Sequence, residues 1–175
     1  DQKDIEIMDH RWSVWLMPSN DNRPKYEQII NVYSRTYSFP NFSPHITLFG
    51  RIDIDPRSTF QFFEKISTHD PIYLHTQGVS IGDTPWKSLY IQFKPNIFLN
   101  SLQSRINDKL KAYRNYNFDP HMSLAYGNLG QKKPEIDEIS LDESIRFSSV
   151  ALVYTSDYID DWRVIKEYKF RSKYK

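Results

Sequence analysis

The 175-residue chain is 39% hydrophobic and 15% aromatic, so it can bury a core as one compact domain, and global disorder is not expected. Its 23 basic and 22 acidic residues leave a formal charge of +1, which argues against a dedicated duplex-DNA-binding protein. The absence of cysteine excludes disulfides, thiolate metal sites and a cysteine nucleophile. Because no apolar run approaches the roughly 20 residues that span a bilayer, we expect a cytoplasmic protein without membrane contacts.

Strands and helices are predicted to alternate along the chain. After a polar start at 1–10 that we expect to be frayed, the apolar segment 12–17 predicts a buried strand. Trp12 and Trp15 of this strand are assigned to the core, although their odd spacing points them to opposite faces. A turn is predicted at 82–85. The other predicted elements are a helix over 24–37, a strand over 45–52, a helix over 55–66, strands over 72–79 and 88–93, a helix after Asn96, and strands over 121–126, 147–154 and 163–170.

One short segment occurs twice, once in each half of the chain. The sequence NFSPHITL at 41–48 returns as NFDPHMSL at 117–124. In each copy a hydroxyl residue follows two places after a histidine, and alternate side chains of a strand share a face. The first strand would present His45 and Thr47 on one face, and the second strand would present His121 and Ser123 on one face.

The repeat also predicts the organisation of the chain. Each half reads as strand, helix, strand, and no linker rich in glycine or serine separates the halves. We therefore predict one domain over 1–175 with two related lobes. If a pseudo-two-fold axis relates the lobes, the two histidine motifs face each other across a central cleft.

Two imidazoles and two hydroxyls suit the cleavage of a phosphate ester by acid–base chemistry. A base takes a proton from water, an acid protonates the departing oxygen, and donors hold the other phosphoryl oxygens. Because the pKa of histidine is near about 6.5, one imidazole can be neutral while the other is charged. We find no metal-ligand set and expect no metal and no cofactor. The other three histidines, His10, His69 and His75, are interpreted as structural.

The paired motifs resemble those of the 2H phosphoesterase superfamily, and within it those of the cyclic phosphodiesterase family. Segments 44–48 and 120–126 are similar to the two family motifs, 13–18 to the first strand of the family, and 155–168 to its last hairpin. The resemblance thus covers residues 12–170. It implies a mixed α/β (α+β) bilobal fold, in which antiparallel sheets line a central cleft and helices lie outside.

The resemblance also implies an activity and site residues. Such enzymes hydrolyse ADP-ribose 1″,2″-cyclic phosphate, a by-product of tRNA splicing, and convert nucleoside 2′,3′-cyclic phosphates to 2′-phosphates. It implies that His45 is the acid and His121 the base, that Thr47 and Ser123 bind phosphate, and that Tyr126 contacts substrate. The residues themselves leave the assignment of acid and base open.

Trp86 is a second candidate substrate-binding residue, which can stack on a base or ribose, or alternatively flank the core in a hairpin. The expected partner is a small cyclic phosphate or nucleotide bound by a monomer. Two alternatives remain. One is an RNA-end or 2′,5′-oligoadenylate phosphodiesterase of the same superfamily, and the other is a nucleotide- or RNA-binding module without turnover.

Overall fold

The computed structural model describes residues 10–173, so the expectation of a frayed start lies outside the described residues except for His10, which is exposed. Within this range the chain forms seven strands and three α-helices. They are β1 (Trp12–Pro18), α1 (Arg23–Tyr37), β2 (Ile46–Ile52), α2 (Phe60–Ile66), β3 (Ile72–Thr84), β4 (Lys87–Phe93), α3 (Ile97–Leu110), β5 (His121–Ala125), β6 (Ser144–Tyr154) and β7 (Arg163–Lys169). The predicted order of elements is confirmed.

The largest difference from prediction concerns the hairpin between β3 and β4. The predicted turn at 82–85 is wrong, because the ladder with β4 continues as far as the pair Thr84 and Lys87. The chain reverses instead at Pro85 and Trp86. Trp86 therefore stands at the tip of a long hairpin, where half of its surface is exposed.

All seven strands belong to one sheet in the order β1-β2-β5-β4-β3-β6-β7, and every ladder between them is antiparallel. β1 also pairs with β6, so the sheet curls back on itself. The strands of the two motifs, β2 and β5, are joined by a single residue pair, Ile46 opposite Met122. The α+β fold with antiparallel strands is as predicted, and the two motif strands meet at this pair.

β1 is covered on both of its faces, and so every residue of the strand is buried. Trp12, Val14 and Leu16 join the main core. Trp15 and Met17 point the other way and pack with Ala151 in a smaller cluster. The opposite orientation of the two tryptophans, expected from their odd spacing, is confirmed.

Helices support the two motif strands from behind. α3 packs against β2 and α1 packs against β5. Asn96 caps α3 as predicted, because its Oδ1 accepts hydrogen bonds from the amides of Phe98 and Leu99. Gln103 of α3 donates a hydrogen bond to the carbonyl of Leu48 at 3.0 Å, which fixes the helix to β2. No helix among residues 10–173 has the length and apolar character needed to cross a membrane.

Candidate active site

The point where β2 and β5 meet brings the two motifs together. Ile46 pairs with Met122, and extending this antiparallel register by one residue sets Thr47 opposite His121 and Ser123 opposite His45. Directly opposed residues lie on the same face of a sheet. Ile46, Met122 and their apolar neighbours turn into the core, so the histidines and hydroxyls turn to the other side.

His45, Thr47 and His121 line one cavity of about 410 Å³. The two imidazoles are close enough that a charge on His121 lowers the pKa of His45. Both copies of the repeat therefore contribute residues to the same cavity. The rest of the wall consists of aromatic rings, two arginines, one carboxylate and small residues, namely Trp15, Trp86, Tyr116, Tyr126, Trp162, Arg51, Arg114, Asp157, Ser13, Gly50 and Thr155.

His45 lies in an apolar, aromatic part of the cavity and is only 3% exposed. The ring of Trp15 stacks on it, with centroids 3.5 Å apart and planes 7° from parallel. The hydroxyl of Tyr126 lies 3.5 Å from His45 Nε2. Burial, as the largest cause, lowers the pKa of His45 to about 3, because water no longer stabilises the imidazolium.

His121 lies in a more open and more highly charged part of the cavity, with 21% of its side chain exposed. Its ring meets Tyr90 edge to face at 5.6 Å. The carboxylate of Asp119 lies 3.4 Å from His121 Nδ1 and is paired with the Lys87 ammonium. Burial lowers the pKa of His121, while hydrogen bonding to Asp119 and its negative charge oppose that shift.

Both imidazoles are held in the same way by the main chain. Nδ1 of His45 is 2.7 Å from the carbonyl of Ser43, and Nδ1 of His121 is 2.8 Å from the carbonyl of Asp119. A carbonyl only accepts, so Nδ1 carries the proton in both rings and Nε2 is left as the functional nitrogen. A proline separates carbonyl from histidine in each motif, and its restricted φ stiffens this short loop.

The two hydroxyls differ in their surroundings. Thr47 is half-buried and lines the cavity. Ser123 is 2% exposed, and its Oγ has no hydrogen-bond partner among the described residues. It lies near Tyr126 and opposes the rise that burial causes in the pKa of that phenol, although the two groups do not meet in hydrogen-bond geometry. Buried hydroxyls in proteins are seldom left without a partner, so the Ser123 hydroxyl can form a hydrogen bond with a bound molecule.

Aromatic rings form the wall on the Tyr126 side. Tyr126 packs on Phe42 at 4.3 Å between centroids, and burial raises the pKa of its phenol to about 12. Trp86 reaches over from the β3–β4 hairpin to within 5.6 Å of Tyr126. The ring of Trp162, from the segment before β7, lies 6.4 Å from that of Trp86 and within 15° of parallel to it.

Two arginines also line the cavity. Arg51 donates to the carbonyl of Thr155 at 3.0 Å and to the carboxylate of Asp157 at 2.9 Å. Arg114 donates to the carbonyl of Arg51 at 3.2 Å, so it is fixed without using a carboxylate partner among the described residues. Near them, burial raises the pKa of Tyr116 to about 12, and this phenol is neutral at physiological pH.

Comparison with known proteins identifies the family. A family model described as "Cyclic phosphodiesterase-like protein" matches residues 10–170. The chain belongs to this family. Membership confirms the predicted relationship to cyclic phosphodiesterases and the expectation of a phosphodiesterase enzyme. The matched range agrees closely with the resemblance expected over 12–170.

Two curated relatives of this cyclic phosphodiesterase-like protein are distant in sequence. The cyclic phosphodiesterase of Arabidopsis thaliana is 21% identical over 159 residues, which are 86% of this chain and 88% of the plant protein. The uncharacterized protein UNK4,15 of Schizosaccharomyces pombe is 27% identical over 136 residues, 70% of this chain and 65% of the yeast protein.

Solved structures share the fold of the cyclic phosphodiesterase-like chain. Escherichia coli LigT, crystallised with 3′-AMP, superposes with a TM-score of 0.64 at 12% identity and covers 93% of this chain and 99% of LigT. TT0787 of Thermus thermophilus gives a TM-score of 0.61 at 12% identity, with coverage of 93% and 99%. At this level of identity the likeness extends to the fold, which is the 2H phosphoesterase fold expected from the motifs.

The predicted site residues of this family member are brought together, with one distinction. His45, Thr47, His121, Tyr126 and Trp86 all line the cavity, whereas Ser123 lies buried behind its surface. The alternative interpretation of Trp86 as a residue flanking the core does not fit its exposed position at the hairpin tip. Of the other histidines, His69 donates from Nδ1 to the carbonyl of Asp70, His10 and His75 are exposed, and none lines this cavity.

Several site residues were not expected from the sequence. Trp15, predicted as a core residue, is buried but covers the His45 imidazole and does not join Trp12 in the main core. Trp162, Arg51 and Arg114 carry no motif that would have marked them. Asp119 occupies one of the three positions at which the two copies of the repeat differ, and the aspartate in place of Ser43 was a signal available in the sequence. Among residues 10–173 no group of three or more side chains suited to holding a metal ion is found.

Proposed function

We propose that this protein hydrolyses cyclic phosphates, namely ADP-ribose 1″,2″-cyclic phosphate and nucleoside 2′,3′-cyclic phosphates, by two-histidine acid–base catalysis without a metal. The observation that carries the proposal is that His45 and His121 line one cavity and make the same main-chain hydrogen bond. Each Nδ1 is committed to a main-chain carbonyl, and so each Nε2 is available to exchange a proton with a bound ester.

The reaction needs one proton transfer at each side of the phosphorus. Water attacks phosphorus and gives a proton to the neutral imidazole, while the bond from phosphorus to the ribose oxygen breaks and that oxygen takes a proton from the charged imidazole. The product is an acyclic monoester with one ribose hydroxyl released. After product release, the two imidazoles have exchanged protonation states and re-equilibrate with solvent.

Thr47 and Ser123 are proposed to hold the non-bridging phosphoryl oxygens. Each lies across the sheet from the histidine of the other motif, so the four groups share one face of the sheet. The unpartnered hydroxyl of Ser123 supports this role, because a phosphoryl oxygen would supply the missing hydrogen-bond acceptor.

Trp86 and Tyr126 are proposed to contact the nucleoside part of the substrate. The exposed face of Trp86 at the cavity rim offers a stacking surface, and stacking on one aromatic ring contributes roughly 1–3 kcal/mol per base. Arg51 and Arg114, which also line the cavity, supply positive charge for an anionic substrate. Structures of LigT with 3′-AMP, ATP and phosphate support a nucleotide ligand for this fold.

A direct assay tests the proposal. The purified protein is incubated with ADP-ribose 1″,2″-cyclic phosphate, with 2′,3′-cyclic AMP and with 2′,5′-linked oligoadenylate, in the presence of EDTA, and products are located by phosphorus NMR. We expect a ring-opened monoester from the cyclic phosphates at a rate that EDTA does not change. A requirement for an added divalent cation would contradict the proposed chemistry.

The same assay separates the two alternatives. Preferential cleavage of oligoadenylate, or of RNA ends added as a fourth substrate, would favour the phosphodiesterase that acts on RNA. Tight binding of 3′-AMP without turnover of any substrate would favour a binding module. The presence of both imidazoles with available Nε2 atoms argues for turnover.

A further inference from the structure

A second cavity adjoins the cavity that holds His45 and His121, here called the histidine cavity. The second cavity, here called the Tyr158 pocket, measures about 280 Å³. Its apolar wall residues are Pro40, Pro85, Trp86, Tyr126, Tyr158 and Ile159. Trp86, Tyr126 and Asp157 line both cavities, so the two are separated only by shared side chains.

The walls of the Tyr158 pocket are fixed by hydrogen bonds within the protein. At the tip of the β3–β4 hairpin, the amide of Gly127 donates to the carbonyl of Pro85 at 2.9 Å. In the loop before β7, Trp162 Nε1 donates to the carbonyl of Ser156 at 2.8 Å. The hydroxyl of Ser156 donates in turn to the carbonyl of Tyr158 at 3.0 Å. The pocket is therefore formed before any ligand binds.

Two aromatic residues of the pocket expose much of their surface. Tyr158 is 75% exposed and Trp86 is 50% exposed. The hydroxyl of Tyr158 makes no hydrogen bond to any residue in the described range 10–173, so its ring is not held there by a polar contact. Exposed apolar surface that lines a cavity is typical of a binding site. The pocket thus presents aromatic surface to a flat ligand.

The charges of the two cavities differ. Arg51 and Arg114 line the histidine cavity, whereas the charged residues lining the Tyr158 pocket are Asp157 and Asp160. Because like charges repel, a phosphate is favoured in the histidine cavity and disfavoured beside the two carboxylates. The pocket suits a flat, uncharged group, and a nucleobase is both. Its volume lies just below the roughly 300–1,000 Å³ of typical ligand sites, which fits one base and not a whole nucleotide.

We propose that the Tyr158 pocket binds the base of a nucleoside that is joined, through one or two phosphates, to the ribose carrying the cyclic phosphate. This inference rests on the proposed function and narrows its substrate class to molecules with a base beyond a phosphate linker. ADP-ribose 1″,2″-cyclic phosphate has such a base after two phosphates, and a dinucleotide ending in a 2′,3′-cyclic phosphate has one after a single phosphate. In 2′,3′-cyclic AMP this base is missing.

Comparison of three substrates gives the first test. kcat/KM of the wild-type protein is measured with ADP-ribose 1″,2″-cyclic phosphate, with the adenine dinucleotide 2′,3′-cyclic phosphate and with 2′,3′-cyclic AMP. At least one of the two longer substrates should exceed 2′,3′-cyclic AMP by roughly tenfold, as expected for stacking of one additional base. The longer substrate with the greater advantage identifies the linker length that the site accepts. Equal kcat/KM for all three would overturn the inference.

Variants at Tyr158 test the pocket itself. Tyr158→Ala should lower the ratio of kcat/KM between the preferred longer substrate and 2′,3′-cyclic AMP by roughly tenfold, because it removes a stacking surface. Tyr158→Phe keeps the ring and should keep the ratio. Tyr73→Ala is the matched control, since Tyr73 is 56% exposed and lines neither cavity. An equal decrease for all three substrates in Tyr158→Ala would mean that the residue is structural, and the inference would be wrong.

Binding without turnover separates the inference from the proposed function. Isothermal titration calorimetry compares ADP-ribose with ribose 5-phosphate, neither of which contains a cyclic phosphate. ADP-ribose should bind more tightly to the wild-type protein, and Tyr158→Ala should weaken its binding by roughly tenfold while Tyr158→Phe does not. If this pattern is found but no cyclic phosphate is opened, the proposed function fails and the base site stands. If cyclic phosphates are opened but neither binding nor substrate preference depends on Tyr158, the base site fails and the proposed function stands.

Discussion

The two motifs share five identities in eight positions, yet they place their histidines in contrasting environments. His45 is sealed between Trp15 and Tyr126, whereas His121 is partly open to solvent beside Asp119 and Lys87. The common part of the repeat fixes what the imidazoles share, namely their position and the tautomer. Residues outside the common part create the difference, and an acid–base pair requires such a difference because its two members must hold opposite protonation states.

The largest expected effect comes from removing either imidazole. His45→Ala and His121→Ala should each lower kcat by on the order of 10²–10⁴ under the proposed function, the usual contribution of a general acid or base. Steady-state kinetics with 2′,3′-cyclic AMP measures this loss, and circular dichroism checks that the fold is kept. If the imidazoles act in one transition state, the double variant should be little worse than the single variants. Retention of full activity in one single variant would show that the motifs do not act as a pair.

Much of this arrangement could be predicted from the sequence, and the reasons are local. The alternation of side chains in a strand placed His45 beside Thr47, and the helix cap at Asn96 was recognisable from residue type alone. The roles of Trp15 and Lys87 were not predictable in this way. Each belongs to a strand that lies beside a motif strand only once the sheet has formed. Sequence periodicity shows which residues share one face of a strand, but it does not show which strand lies next to it.

The next largest losses of activity are expected from removing the two hydroxyls. The two losses should differ in size because the hydroxyls lie in different environments. Ser123→Ala should lower kcat/KM by about tenfold to a hundredfold, as expected for the loss of a hydrogen bond to a charged oxygen. Its thermal stability should be unchanged or higher, since the variant removes a buried hydroxyl that has no partner among the described residues.

Thr47→Ala is the matched comparison in the first motif. Thr47 is half-buried, so water can replace part of its contact with substrate in the variant. The decrease in kcat/KM should therefore be smaller for Thr47→Ala than for Ser123→Ala. Parallel measurements of kcat/KM and melting temperature in both variants provide the check. A drop in stability as large as the drop in activity for Ser123→Ala would mean that the serine is structural.

The enclosure of His45 by Trp15 predicts a smaller kinetic effect. Trp15→Leu opens the imidazole to water, so its pKa should rise from about 3 toward the ordinary value, because burial is the main cause of the depression. We expect activity to fall several-fold, mainly toward acidic pH, as the imidazole becomes charged. NMR titration of the His45 ring in the variant measures the shift. An unchanged midpoint would show that the stack with Trp15 has no influence on the charge of His45.

The last prediction concerns folding stability and its dependence on pH, and it involves no change in activity at neutral pH. The pKa of His45 is about 3 in the folded protein and near about 6.5 when unfolded, so the unfolded chain binds the additional proton as pH falls between these values. Stability should therefore be highest above about pH 6.5 and should decrease by up to about 1.4 kcal/mol per pH unit below it from this residue alone. Urea unfolding at several pH values measures the slope.

His45→Gln should be less sensitive to pH over the same range, whereas His75→Gln, which alters an exposed imidazole, should retain the wild-type slope. An equal slope in wild type and His45→Gln would mean that His45 is not held neutral by its surroundings, and the contrast between the two motifs would then rest on geometry alone.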